Sequence, residues 1–269
     1  MREMLNVTDL RKIIIEMAYK GSTVHIGCAL SIVEILSVIY RSHLKYNINE
    51  PNNPLRDYLI LSKGHGVMAQ YACMKALGWL SQDDIDNYFS DGTMLKGLSD
   101  SRVKGLEVTS GSLGHGMSVA TGLAFGVKLN KTNQKIFSIV GDGELNEGPC
   151  WEAIQFAGHH KLNNLLVIVD KNDFQAMGKT EEIINQHNLH KQIESFGFSV
   201  MTVDGHDEKK LDLSIKKLFK SKTTKPKCII ANTVKGYGIT FMENSNEWHY
   251  RRLDEDTYKR AMSELGLSK

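Results

Sequence analysis

Two polar side chains follow apolar segments at points where the strands of a parallel sheet would present them to a ligand. Asp142, inside a Gly-Asp-Gly sequence, follows the apolar run 136–140, and Asn172 follows the apolar run 165–169. The interval between them leaves room for one helix and the next strand. Because ligands bind beyond the carboxyl ends of parallel strands, we expect Asp142 and Asn172 to lie side by side.

The two side chains suit a magnesium ion bound to a diphosphate. Mg²⁺ prefers an octahedron of oxygens at about 2.0–2.1 Å, with one or two carboxylates and phosphate oxygens. Asp142 offers a carboxylate and Asn172 a neutral amide oxygen, which avoids a second charge beside an anionic ligand. The absence of a side chain at Gly143 allows backbone to approach phosphate, and its N–H can donate to a phosphate oxygen. By itself, Gly-Asp-Gly is a common turn, so the hypothesis depends on the pair.

The elements that must position these residues alternate along the chain. We predict strands at Tyr58–Leu61, Ile136–Val140, Leu165–Val169, Phe198–Val203 and Cys228–Val234. We predict helices at Thr8–Tyr19, after a capping box at Ser31–Glu34, and at Val67–Leu77, His115–Asn130, Trp151–Lys161, Leu189–Phe196, Leu211–Phe219 and Glu255–Leu265. The later strands are continuous apolar runs, as expected when helices cover both sheet faces. The pattern predicts a three-layer α/β/α fold with a mostly parallel sheet, in one domain over residues 1–269.

Composition excludes several classes of function. Hydrophobic residues make up 41% of the chain, charged residues 24%, and the net charge is +2, which is ordinary for a globular protein and unlike a nucleic-acid-binding one. The four cysteines form no Cys-x-x-Cys pair, so neither a zinc motif nor a disulfide framework is indicated. The early apolar run Ser31–Tyr40 is too short to span a membrane. We expect a cytoplasmic protein with no membrane or nucleic-acid partner.

Seven short stretches, taken in order, resemble the N-terminal segment of transketolases, which belong to the thiamine-diphosphate enzymes with a Gly-Asp-Gly…Asn motif. The resemblance covers nearly the whole chain. The stretches are Val24–Gly27 with Leu30-Ser31, Leu61–His65, Thr109–Gly116, Gly141–Gly148, Val169–Asn172, Thr233–Gly236 and Trp248-His249.

The resemblance implies a thiamine-diphosphate-binding fold, the cofactors thiamine diphosphate and Mg²⁺, and a role for each matching position. The implied metal ligands are Asp142, Asn172 and the backbone carbonyl of Phe174. The implied cofactor contacts are His65 and Gly143 near the diphosphate, Gly111, Ser112 and Leu113 near the aminopyrimidine, and Glu144. The implied catalytic residues are His25, His65 and His249, which handle substrate protons, and Glu147, which lies between the two active sites of a dimer.

The resemblance also implies an incomplete enzyme. With the help of a carbanion-stabilising cofactor, the enzyme would transfer a two-carbon ketol unit from a ketose or ketose phosphate to an aldose or aldose phosphate. Full-length transketolases carry a pyrimidine-binding domain with an activating glutamate, and no such α/β pattern follows here. We therefore expect the partner to be a C-terminal transketolase subunit, in an α2β2 heterotetramer. Two alternatives are a subunit of another split thiamine-diphosphate enzyme, such as a 2-oxo acid dehydrogenase, and a non-catalytic assembly subunit.

Two departures from the family pattern concern the substrate side. Leu98 stands where many transketolases have a histidine of the substrate channel. After His249, Arg251 and Arg252 stand where many relatives have small residues. The arginines are expected at the surface, and the alternative is a contact with an anionic substrate. These changes leave the donor and acceptor sugars open.

Overall fold

The fold, taken from a computed structural model that describes residues 5–47 and 49–266, is built on a five-stranded sheet. The strands are β1 (Tyr58–Leu61), β2 (Ile136–Gly141), β3 (Leu165–Lys171), β4 (Ser199–Asp204) and β5 (Lys227–Asn232). Their order across the sheet is β1-β2-β3-β5-β4, and every neighbouring pair is parallel. The predicted parallel α/β sheet is thus confirmed.

Each strand sends alternate side chains into two separate apolar cores, because successive residues of a strand point to opposite faces. Phe137 and Ile139 of β2 join one core, whereas Ile136 and Val140 join the other. Both cores consist of buried side chains, so helices cover both faces of the sheet. The three-layer arrangement follows from the continuous apolar runs of the central strands.

Eleven α-helices surround the sheet within the described residues. They are α1 (Val7–Lys20), α2 (Ile26–Leu30), α3 (Val33–Val38), α4 (Val67–Ala76), α5 (Gln82–Asp86), α6 (His115–Leu129), α7 (Gly148–His159), α8 (Thr180–Ile183), α9 (Leu189–Ser195), α10 (Glu208–Lys220) and α11 (Glu255–Glu264). The first core packs under α1–α4, α10 and α11, and the second under α6, α7 and α9. Every long predicted helix is present with shifts of a few residues at its ends, whereas α5 and α8 are too short to have been detected from periodicity.

The capping box predicted at Ser31–Glu34 is wrong. The helix α3 begins after Ile32, and no side chain caps it. The Ser31 hydroxyl instead donates to Asp170 Oδ2 at 2.8 Å, and its Oγ also lies 3.1 Å from the Cys28 carbonyl oxygen. The hydroxyl bonds to a residue far away in the sequence because the buried Asp170 carboxylate needs hydrogen-bond donors.

The last strand is shorter than predicted, ending at Asn232 rather than at Val234. Thr233 N–H still reaches the carbonyl oxygen of Lys171 at 3.0 Å. The next N–H, of Val234, donates instead to His206 Nε2 at 2.8 Å. The chain therefore leaves the sheet at a side-chain contact that local sequence does not reveal.

In the described part of the chain, no helix has both the length and the apolar character that crossing a bilayer requires.

Candidate active site

A cavity of about 420 Å³ opens at the carboxyl edge of the sheet. Its lining includes every predicted site residue but one: His25, His65, Gly111, Leu113, Asp142, Gly143, Glu144, Glu147, Asn172, Phe174 and His249. Ser112 is exposed and outside the lining. The position agrees with the rule that parallel sheets bind ligands where their strands end.

The Gly-Asp-Gly turn after β2 and the segment after β3 meet at one end of the cavity. Asp142 N–H donates to the carbonyl oxygen of Asp170 at 3.1 Å, which continues the β2–β3 ladder by one residue. Asp173 N–H in turn donates to Asp142 Oδ2 at 2.7 Å. The expected juxtaposition of Asp142 and Asn172 beyond adjacent strands is therefore present.

The Asp142 carboxylate is buried and forms no ion pair within the described residues. Its oxygens accept from the N–H groups of Gly143 and Asp173, and no basic side chain of the described residues pairs with it. Burial, followed by the nearby charge of Asp170, raises the pKa of Asp142 to about 7. A divalent cation bound here would offset both effects, so this environment fits a metal ligand.

Asp170, to which the sequence patterns assigned no role, determines how Asn172 faces the cavity. Its carboxylate accepts from Asn172 Nδ2 at 2.9 Å and also from Lys63, Ser31 and Thr233. Because the acceptor holds the NH₂ group, the Asn172 amide oxygen must point the other way, where it accepts from Phe174 N–H at 3.1 Å. The oxygen is thus presented on the side on which a metal ligand is expected.

Gly143 has no room for a side chain because the side chain of Gln175 packs against it. A Cβ on Gly143 would lie 2.7 Å from Cγ of Gln175. The Gly143 N–H donates to Asp142 Oδ1 at 2.8 Å, so it becomes available to a phosphate only when that carboxylate turns towards a metal. Among the described residues, the buried Gln175 Nε2 has no hydrogen-bond partner. This unpaired donor, next to the tightly packed Gly143, fits an anionic ligand with an oxygen-rich surface.

The Glu144 side chain is fully engaged in holding the turn. Its carboxylate accepts from Ser62 Oγ at 2.5 Å, Gly114 N–H at 2.8 Å and Gly141 N–H at 3.1 Å. These bonds tie the loops that follow β1 and β2 and the start of α6 together. The predicted cofactor contact of Glu144 remains a prediction, and it would have to be made by backbone atoms because the carboxylate is engaged.

Three histidines cluster at the other end of the cavity. The ring centroids of His25, His65 and His249 lie 5.1–5.6 Å apart. His25 adopts a left-handed backbone conformation, with φ of 68°, just before α2, and its N–H donates to the carbonyl oxygen of His249 at 2.9 Å. A non-glycine residue held in this conformation is strained, and such strain occurs preferentially at functional sites.

The histidines are neutral at physiological pH. Burial, and then the charges of Lys235 and Lys63, lower the pKa of His25 to about 4. Burial and the charge of Lys235 lower the pKa of His249 to about 3. Burial followed by Lys63 also lowers the pKa of His65 well below its ordinary value. Each ring can therefore accept a proton or donate one from a single nitrogen.

Two buried lysines of the site were not predicted from the sequence, although both lie in the stretches that resemble transketolases. Lys63 Nζ pairs with Asp170 Oδ2 at 2.5 Å. Lys235 Nζ contacts His249 Nδ1 at 3.1 Å and Asn246 Oδ1 at 2.9 Å. Asp170 balances the charge of Lys63, whereas Lys235 forms no ion pair among the described residues, so its ammonium is the charge that favours an anionic ligand at this end of the cavity. For Lys63 the available signal was its place directly after the polar Ser62 at the end of β1, whereas Lys235 follows the apolar Val234 and carried no such signal.

The two departures from the family pattern behave differently. Leu98 lines the cavity, at the place where a channel histidine was expected. Arg251 pairs with the exposed Glu247 at 3.2 Å, and Arg252 Nε donates to the carbonyl oxygen of Ser22 at 2.7 Å. Both arginines are exposed and outside the lining. They are surface charges, whereas Leu98 is part of the site.

Comparison with known proteins gives the same assignment along the whole chain. Residues 3–269 match the family model described as "Transketolase, thiamine diphosphate binding domain". The chain is 38% identical over 256 residues to an apulose-4-phosphate transketolase subunit of Actinobacillus succinogenes, covering 95% of this chain and 92% of the relative. It is 37% identical over 257 residues to a 6-deoxy-6-sulfo-D-fructose transketolase subunit of a Clostridium species, covering 95% of this chain and 93% of the relative.

Solved structures agree on the fold. The transketolase of Campylobacter jejuni superposes with a TM-score of 0.91 at 32% identity, and that of Leishmania mexicana with 0.90 at 28%. These alignments cover 98% of this chain but only 42% and 41% of the two solved chains, so the chain spans about two fifths of their length. The family model that matches this chain describes the thiamine diphosphate binding domain of transketolases. The chain therefore belongs to the transketolase family, in which it corresponds to the thiamine diphosphate binding domain.

Proposed function

We propose that this chain binds thiamine diphosphate through Mg²⁺ and, with a partner chain, transfers a two-carbon ketol unit from a ketose to an aldose. The observation that carries the proposal is the form of the cavity. One end holds a buried Asp142 carboxylate, with which no basic side chain of the described residues pairs, beside an oriented Asn172 amide, and the other holds three neutral histidines. A metal-bound diphosphate and a sugar need these two environments within reach of each other.

At the metal end, we assign the ligands as Asp142, the Asn172 amide oxygen and the backbone carbonyl of Phe174. The described residues contain no cluster of three or more His, Cys, Asp or Glu side chains suited to a metal, so this ion would depend on phosphate oxygens for the rest of its shell. His65 and Gly143 would contact the diphosphate. The cofactor, when bound, supplies the stabilisation of a carbanion.

The cofactor's other end is assigned to the loop before α6. Gly111 and Leu113 line the cavity, and we place the aminopyrimidine against them together with Ser112. Ser112 is exposed on this side, so its contact would form within a larger assembly. The loop is fixed from below because Ser110 Oγ donates to the carbonyl oxygen of Leu61 at 2.6 Å.

At the substrate end, the neutral histidines would bind sugar hydroxyls, some rings as hydrogen-bond donors and others as proton acceptors. Lys235 Nζ lies 3.1 Å from His249 Nδ1 and donates to it, so the proton of the neutral ring resides on Nε2. His249 thereby offers an N–H to a substrate oxygen. His25, which faces it at a right angle, has no such lysine contact and is the better proton acceptor of the two.

The rest of the active site is proposed to come from another chain. The two relatives above are named as subunits, and this chain aligns with over nine tenths of each. Glu147 is exposed at the start of α7, where it is free to meet another subunit. We propose a C-terminal subunit with a pyrimidine-binding domain that supplies the activating glutamate, in an α2β2 assembly. The four cysteines are free and buried, which supports a reducing compartment such as the cytoplasm.

The test uses the complex of this chain with its partner subunit. Titration calorimetry should show thiamine diphosphate binding that requires Mg²⁺ and is lost in Asp142→Asn. Asp173→Asn is the matched control, because Asp173 is exposed and asparagine tolerates its left-handed backbone (φ of 62°). Equal binding by Asp142→Asn and the wild type would refute the metal assignment.

Activity assays distinguish ketol transfer from the two alternative functions. Ketol transfer should be assayed with a panel of donors that includes 6-deoxy-6-sulfo-D-fructose and apulose 4-phosphate, the sugars in the relatives' names. Pyruvate decarboxylation without ketol transfer would indicate a 2-oxo acid enzyme. Failure to bind the cofactor at all would indicate a non-catalytic role in assembly.

A further inference from the structure

A buried polar network lies behind the cavity, outside its lining. It joins Arg11 of α1, Glu34 of α3, His206 in the turn after β4 and Tyr237 in the loop after β5. The side chains of Arg11, Glu34 and His206 are only 5%, 3% and 8% exposed. Buried charges in such a network need a partner for every donor and acceptor, so the network specifies one geometry.

The contacts within the network are short. Arg11 Nη2 donates to Glu34 Oε1 at 2.5 Å, and Arg11 Nε donates to the carbonyl oxygen of Tyr237 at 2.9 Å. Burial raises the pKa of Glu34, but the hydrogen bond from His206 and the charge of Arg11 outweigh it and lower that pKa. Glu34 is therefore an ionised acceptor. The Tyr237 ring stacks on the His206 ring, with centroids 3.5 Å apart and planes inclined by 17°.

The two nitrogens of His206 have opposite roles. Nε2 accepts from the N–H of Val234 at 2.8 Å and thus carries no proton. Nδ1 lies 3.0 Å from Glu34 Oε2 and donates its proton to that carboxylate. Only this tautomer satisfies both contacts, and Glu34 is the group that selects it.

Val234 is the residue immediately before Lys235, whose ammonium is buried at the histidine end of the cavity. Lys235 Nζ contacts His249 Nδ1 at 3.1 Å and the Gln175 carbonyl oxygen at 3.4 Å. The backbone between Val234 and Lys235 has left the sheet, so no strand ladder holds it. The His206 contact takes the place of the next ladder hydrogen bond.

We propose that His206, oriented by Glu34, is a positioning residue for ketol transfer: it holds the Val234 backbone so that Lys235 keeps its hydrogen bond to His249. His206 touches neither the cavity nor a ligand and acts only through Val234. The kinetic consequence rests on the function proposed above, whereas the hydrogen bonds themselves belong to this chain alone.

The first experiment concerns the wild-type chain. Nuclear magnetic resonance of the deuterated, ¹⁵N-labelled protein should detect a scalar coupling across the hydrogen bond between the Val234 amide nitrogen and His206 Nε2. It should also show His206 protonated at Nδ1. Lack of the coupling, or a proton on Nε2, overturns the proposal without any variant.

The second experiment compares two replacements that each keep half of the imidazole's function. The oxygen of glutamine in His206→Gln can occupy the position of Nε2 and still accept from Val234. The amide of asparagine in His206→Asn is too short for that and retains only the donor to Glu34. His190→Asn is the control, because His190 makes a comparable contact to Thr202 Oγ1 at 3.0 Å elsewhere on the sheet edge.

The expected result is a difference between the two variants. His206→Asn should shift the ¹⁵Nδ1 resonance of His249 and lower kcat/KM for the ketose roughly tenfold or more, as loss of a charge-assisted hydrogen bond implies. His206→Gln and His190→Asn should stay near the wild type, and all should bind thiamine diphosphate equally. An unshifted His249 resonance in folded His206→Asn, or equal kinetic losses in the Asn and Gln variants, refutes the positioning role. If the wild-type complex lacks ketol transfer but the resonance still shifts, the proposed function fails and the hydrogen-bond relay stands.

Discussion

Replacing Asp170 by asparagine should destabilise the protein far more than the same replacement of a surface aspartate that lies equally close to a lysine. Asp170 and Lys63 form an ion pair with 2.5 Å between Nζ and Oδ2, and their side chains are 0% and 2% exposed. Burial lowers the pKa of Lys63, but the charge of Asp170 and its hydrogen bond, together with contributions from Cys28 and Asp142, outweigh burial and raise that pKa. Removal of the carboxylate leaves a buried ammonium without a counter-ion.

The expected magnitude follows from that burial. Breaking a buried pair by removing one partner costs about 3–5 kcal/mol, because the remaining charge stays in a poorly solvated site. Asp170 also accepts from Ser31, Asn172 and Thr233, so the loss should lie in the upper half of that range. Asparagine retains the side-chain volume, so no cavity contributes to the change.

Urea unfolding followed by circular dichroism measures the free energy of unfolding of each variant. Asp86→Asn is the control, since Lys20 and Asp86 are also close, at 2.6 Å, but both are 43% exposed. Its unfolding midpoint should stay close to that of the wild type. The double variant Lys63→Met/Asp170→Asn should recover part of the loss, because it removes the stranded charge. A loss below about 1 kcal/mol in Asp170→Asn would refute the argument that this pair is held in a low-dielectric interior.

Two further predictions concern the cavity. His25 and His249 have pKa values lowered to about 4 and about 3, so the unfolded chain binds more protons than the folded one once the pH drops below about 6.5. The stability that the two neutral histidines contribute is complete above that pH and is lost as the pH falls towards 4. The urea midpoint should therefore decline less steeply with falling pH in His25→Gln than in the wild type. Parallel declines of the two midpoints would contradict this prediction. Gly143→Ala should weaken Mg²⁺-dependent cofactor binding, because its new Cβ meets a side-chain carbon at 2.7 Å, whereas Gly148→Ala, with no atom within 4 Å, should bind normally in calorimetry. Normal binding by both alanine variants would show that the close approach at Gly143 has no bearing on the ligand.

Local patterns were sufficient for the elements and for the general place of the site. The apolar runs that became β2 and β3 are continuous, so their strand character and their burial on both faces were predictable. Since Asp142 and Asn172 directly follow those runs, their meeting at the sheet edge was predictable too. The capping box at Ser31 was predicted wrongly because a capping pattern is local, whereas the acceptor that the Ser31 hydroxyl bonds to, Asp170, is 139 positions away.

The sequence by itself determined the parallel α/β fold, the resemblance to the transketolase cofactor domain and the set of residues at the strand ends, because each depends on neighbours along the chain. Only the tertiary structure decided how those residues are paired. Lys63 meets Asp170 across 107 positions, and His206 meets Glu34 across 172. These contacts set the charge of the cavity, the orientation of Asn172 and the tautomer of His206. They exist because burial forces each charged or polar group to find whichever partner the fold brings near.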